Sequence, residues 1–456
     1  YRTFNNTIEQ MMHLIRATYR DIQENITGVH PSVYRQVRAG AEVATIALPK
    51  AIPWGQGKHE ALLREIPVIR QVLLYPPLIL EPPMNKRSGV FVRVDQNPLD
   101  GLKLDTGDWL CYPAKVGELV ILVYFHEKFA ELGFSLSNLF EVATDEDLAR
   151  KPDAVYLFGA PMKDMKRFGE APTIFYEDEK NDLLIAAVPD EDRFGYFGYL
   201  KKMVLTLHNI KMMKSGRMPF HGALVSLALK GGKTVNVLLI GDTGAGKSET
   251  LEAMRTLGDA DMKDMTVIAD DMGSLTINKK GEVIGYGTEI GAFLRLDDLN
   301  PGYAYGQIDR AIIMSPSKVN ARIVLPVTSF NNVIKGVPIH AVLYANNYEE
   351  VDQEHAIVER IDDVNRALAI FRDGTVMSKG TTTSSGIVHS YFANVFGPPQ
   401  YRSLHEEIAT KFFKAFYKKD VFVAQIRTRL GITGQEQTGP MASAKAMLEV
   451  IKTLDV

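Results

Sequence analysis

The chain carries one cysteine, Cys111, in 456 residues. A lone thiol can build neither an internal disulfide framework nor a multi-cysteine zinc or iron–sulfur site, and it agrees with a reducing compartment. Long hydrophobic runs are missing as well. No window approaches the roughly eighteen uninterrupted apolar residues a membrane span needs, so no membrane partner is expected. Charge of one sign is scarce: 52 Lys and Arg face 55 Asp and Glu, for a formal net of −3. Without a global basic field there is nothing to hold a nucleic-acid backbone, and a small anion in a local basic pocket is the better expectation. Internal repeats and low-complexity tracts are absent too. The chain opens at Tyr1 without a basic segment leading into a short apolar one, and the cytoplasm is the expected compartment.

What is present reads as a folded protein of mixed α/β class. Hydrophobic residues make up 46% and charged residues 23%, and the length exceeds that of one ordinary domain. Apolar residues at helical spacing over 7–22 predict an opening amphipathic helix. From about 40 to 200, short apolar runs such as "GELVILVYF" are punctuated by Pro and Gly, which predicts a strand-rich lobe. Residues 1–215 are therefore read as a mixed α/β domain on the substrate side, and 216–456 as a phosphate-binding domain. In the latter, "VNVLLI" reads as a buried strand, "SETLEAMRTL" as a helix and "MTVIADD" as a strand ending in two acids. Segments 403–419 and 442–454 read as helices, 431–440 as a mobile polar loop, and the charge run 177–182 as solvated surface.

Between that strand and helix lies "GDTGAGKS", Gly241, Asp242, Thr243, Gly244, Ala245, Gly246, Lys247 and Ser248. Glycines let backbone N–H groups turn inward on phosphate oxygens, a lysine reaches the outer phosphates, and a hydroxyl holds a metal ion. The following helix adds the positive end of its dipole. About twenty residues on, Asp270 and Asp271 offer carboxylates to a metal, directly or through water.

Ahead of the loop stand "YFGYLKK", Tyr196 to Lys202, and His221, nineteen positions after Lys202. A histidine before an apolar run is by itself usually structural. Taken in order, "YFGYLKK", His221, the glycine loop and "IADD" resemble the phosphoenolpyruvate carboxykinases, especially the ATP-type branch, over roughly residues 190–440. The resemblance implies a P-loop carboxykinase-like fold for 216–456 and a divalent manganese or magnesium ion on Lys202, His221 and Asp271. A lysine binds metal only as the neutral amine, so its pKa must be depressed. Tyr196 and Lys201 would face the organic acid, Arg322 in "NARIVLP" would bridge phosphate and substrate, and Arg87 in "NKRSG" would grip the substrate carboxylate. The stretch 378–386 sits where the family has a lid.

The implied reaction converts oxaloacetate to phosphoenolpyruvate and carbon dioxide at the expense of a phosphoryl donor. Two departures bear on the donor. Lys247 to Asp271 spans 24 positions, longer than the family uses, and 431–440 lacks the arginine that ATP-type enzymes place against adenine. ATP is the expected donor, with GTP and pyrophosphate open. A second resemblance, of "GDTGAGKSET", "HGALV" and "EVIGYGTEIGAFLRLDDL" to HPr kinase/phosphorylase, implies a serine kinase with Asp270 or Asp271 as base, and Glu289 is a metal-side acid under either reading. A nucleotide-binding relative without turnover is the third reading.

Overall fold

The apolar runs of the first half are strands covered on both faces. In the computed structural model, which describes residues 4–28, 33–36, 43–54, 57–74, 77–170, 172–257, 261–296, 310–379 and 385–455, they form one ten-stranded mixed sheet. Its middle is the Trp109–Val116 and Leu119–His126 hairpin, closed by a two-residue turn with Gly117 at φ 55°. Both strands are buried nearly throughout, the pattern of a sheet with no solvated face. Tyr112, Phe125, Tyr156 and Phe158 pack to one side, and Trp54, Leu122, Val155 and Leu157 to the other.

The first of these faces receives the Phe197–Lys214 helix. Leu200, Met203, Val204, Leu207 and Ile210 are all completely buried, and the helix is covered on most sides because it lies between two sheets. Each such side chain contributes about 2 kcal/mol, so one charge at Leu200 would uncouple the sheets. This burial fixes where Lys201 and Lys202 emerge.

The second sheet has nine strands. Thr234–Ile240, Ala341–Asn346 and Phe422–Arg427 run parallel at its centre, and Met218–Leu229 lies antiparallel beside the first of them. The Lys247–Leu257 helix packs Leu251 and Met254 against Met447 and Leu448 of the Thr438–Thr453 helix. That last helix starts at Thr438, inside the stretch read as a mobile loop. A four-stranded sheet pairs Gly291–Arg295, Arg322–Pro326 and Ile312–Met314 with Leu78–Leu80, a strand from the first half of the chain. The opening helix spans Phe4–Thr27. Among the described residues no helix is long and apolar enough to cross a membrane.

Candidate active site

The three parallel strands end together, and the glycine loop is built on those ends. Gly241 follows Ile240, and a Cβ there would lie 2.8 Å from that of Ala245 and 3.1 Å from that of Ala345. Just past the second strand, Asn347 donates to Gly244 O at 2.9 Å; just past the third, Thr428 Oγ1 donates to Ala245 O at 2.7 Å. Gly246 has φ 90°, and a Cβ on it would lie 2.6 Å from Thr428 Oγ1, so glycine is required. Lys247 Nζ donates to Gly241 O at 2.6 Å and Asp242 O at 2.9 Å, folding the lysine across its own loop, and burial lowers its pKa. Asp242 accepts from Thr243 N at 2.7 Å.

The cleft in front of the loop has a volume of about 480 Å3. Its walls include Asp242, Thr243, Gly244, Gly246, Lys247 and Ser248 from the loop, Tyr196, Lys201 and Lys202 from the central helix, Asp270 and Asp271, and Arg322. Gly241 and Ala245 lie beneath the loop and do not line it. Tyr196 sits at the N-cap, and its ring folds over Gly198, where a Cβ would come within 2.3 Å of it.

Asp270 and Asp271 fall in the break between the Met262–Ala269 and Met272–Ile277 strands. Asp271 Oδ2 meets Lys201 Nζ at 2.6 Å and Oδ1 meets His221 Nε2 at 2.9 Å. Burial alone would raise the Asp271 pKa, but Lys201 and His221 outweigh it and hold the carboxyl well below the usual range. At Asp270 burial, reinforced by Asp271, outweighs the pull of Lys201 and Lys247 and pushes the carboxyl up to about 6. Lys201 is 3.2 Å from Glu289, which is buried and shifted up to about 8 by that burial against the pull of Lys201. Burial would lower Lys201, yet the two carboxylates raise it, so it remains an ammonium.

Lys202 is the contrasting neighbour. Burial and the nearby charge of Arg87 lower it to about 8, and its Nζ lies 4.9 Å from the Phe396 ring centroid. His221 is 2% exposed and stands behind Asp271. Its Nδ1 bonds Ala393 O, a carbonyl that can only accept, so Nδ1 carries the proton. Nε2 then faces a carboxylate oxygen, an arrangement satisfied by imidazolium or by a cation shared between them. Among the described residues no three or more His, Cys, Asp or Glu are grouped to hold a metal. A set of one imidazole, one carboxylate and one lysine amine of depressed pKa nevertheless has the chemistry to fit a divalent ion.

Arg87 does not line the cleft. Its Nη1 donates to Gly89 O at 2.6 Å, its guanidinium lies 4.8 Å from the Phe91 ring, and its charge is felt at Lys202. Arg322 does line it, 5.4 Å from the Phe293 ring. Part of the expected lid, 380–384, lies outside the described residues. Sequence reasoning missed Arg295, which lines the cleft opposite Arg322 in register, and the loop supports Asn347 and Thr428. No motif marks these; strand pairing brings them in. No protein-family model matches the chain, and comparison with curated proteins finds no match.

Proposed function

We propose that the protein is a phosphoenolpyruvate carboxykinase-like enzyme that decarboxylates oxaloacetate and phosphorylates the resulting enolate, with manganese or magnesium and a phosphoryl donor, ATP in the first instance. The observation that carries this is the shared cleft: Lys202, Asp271 and the glycine loop line one volume with Arg322 on its wall, and His221 backs Asp271 at 2.9 Å. A hydrolase needs no depressed lysine beside a histidine–aspartate pair.

Lys202, His221 and Asp271 would hold the divalent ion, which supplies positive charge for the developing enolate oxygen. Lys201, kept charged chiefly by Asp271, and Tyr196 line the cleft and would face the organic acid. When the carbon–carbon bond to the departing carbon dioxide breaks, its electron pair passes into the enolate, and Lys201 would stabilise the charge that develops there. The enolate oxygen then bonds the terminal phosphorus as the bond to the donor's bridging oxygen breaks. Lys247, Ser248 and the loop N–H groups position the donor, and Arg322 neutralises the group in transit.

A second reading, transfer to a hydroxyl, is favoured by Asp270, a cleft carboxyl shifted up to about 6 and so suited to act as a base. Turnover separates the two. Purified protein is given oxaloacetate with manganese and magnesium, and ATP, GTP and pyrophosphate in separate reactions. Donor-dependent phosphoenolpyruvate that vanishes in Lys202→Ala and Lys247→Ala is expected. Nucleotide binding with no product from any donor would overturn the carboxykinase reading in favour of a kinase or sensor.

A further inference from the structure

Phe392, Ala393 and Asn394 adopt three successive left-handed conformations, with φ 45°, 56° and 62°. None of them is glycine, and such backbone persists only where the surroundings impose it. Here they do. Gly374 abuts the turn so closely that a Cβ would lie 1.8 Å from Ser390 O and 2.7 Å from Ala393 N. The Phe392 ring is wedged against His405, and Asn209 on the central helix holds Phe396 O at 2.8 Å.

The turn brings Asn394 to the cleft wall, and behind the wall Ala393 O fixes the His221 ring. Asn394 is exposed, and its amide has no hydrogen-bond partner among the described residues. Asparagine tolerates left-handed backbone, but the same turn forces phenylalanine and alanine into that region as well. Backbone tolerance therefore does not govern residue choice here.

We propose that Asn394 is a substrate-contacting residue whose amide N–H donates to a carboxylate or keto oxygen of the organic acid in the cleft. The choice of ligand rests on the carboxykinase-like reading; the presence of a contact rests on the turn. Asn394→Gly removes the amide while leaving a residue that prefers this backbone, and Asn394→Asp keeps the shape but sets a negative charge against an anion.

The test measures binding of oxalate, a planar dianion resembling enolpyruvate, with manganese present, together with ATP binding and thermal unfolding. For Asn394→Gly the expected result is unchanged or raised Tm, ATP binding within about twofold of the parent and oxalate binding weakened roughly tenfold, the worth of one hydrogen bond to a charged group. Asn394→Asp should weaken oxalate further. Parent-like oxalate binding by Asn394→Gly overturns the proposal, as does an equal loss of oxalate and ATP with a fall in Tm, which marks a purely structural turn. An unmodified protein that binds ATP but not oxalate overturns the carboxykinase reading and this assignment together, an outcome distinct from the other two.

Discussion

Gly246 and Lys202 show what one side chain can decide. Any Cβ at 246 meets Thr428 Oγ1 at 2.6 Å on a backbone with φ 90°. Gly246→Ala should therefore cost about 2 kcal/mol and abolish ATP binding, as read by chemical unfolding and calorimetry. Lys202 tests charge against basicity. Arginine keeps the positive charge but cannot give up its proton. Lys202→Arg is expected to lose manganese binding at least about a hundredfold by titration calorimetry; retained binding would remove the lysine from the metal site. Both residues could be picked out because a glycine loop and a lysine pair stand out at fixed spacing, and both line the cleft. Arg295 was not, because nothing in "GAFLRLDD" distinguishes a cleft arginine until the Arg295–Arg322 register is known. Glu177, in a charge run read as solvated, is drawn inward by Arg93 at 3.2 Å and Tyr401 at 2.8 Å, partners distant in sequence.

Among the elements, those with strong local patterns were readable. The apolar strand before the loop and the helix after it lie where periodicity put them, since each buries its own apolar face, while the strand read as ending in two acids stops at Ala269 just before them. The Thr438–Thr453 helix began earlier than its pattern suggested because its first turn, Gly439 and Pro440, is buried by packing rather than by periodicity. The left-handed turn had almost no signal: Phe and Ala carry no preference for it, and one Asn does not announce three successive residues. Loop support is likewise tertiary. Asn347 donates to Gly244 O and Met377 O and accepts from Met377 N at 2.8 Å, tying the glycine loop to the Thr375–Lys379 strand. Asn347→Ala should lower stability by about 2 kcal/mol and weaken ATP binding roughly tenfold, because buried partners lose their bonds while the phosphate groups remain.

The whole molecule carries a pH liability unrelated to the cleft. His208 and His405 are completely buried, and burial lowers each pKa from 6.5 to about 4. Below pH 6.5 the unfolded chain takes up protons at these positions that the folded chain refuses until about pH 4. Their contribution is thus intact above 6.5 and should fall by about 3 kcal/mol per histidine across that window, against the opposite drift from Glu289, whose raised pKa of about 8 favours the fold as pH falls. Urea unfolding at pH 7, 5.5 and 4 checks this, with His208→Gln giving the shallower slope. Domain arrangement was only partly readable, because strand pairing across long loops follows from packing of the whole. The Leu78–Leu80 strand, seated beside Ile312–Met314, makes the point in practical terms. A gene cut at codon 215 would yield a C-terminal half with a raw sheet edge next to the strand that begins with Arg322, and such edges recruit strangers. Expressed alone that half should precipitate, and mixing in the N-terminal half should rescue it. The two halves are better regarded as one heritable unit, tolerant of insertions at its loops but not of division at its middle.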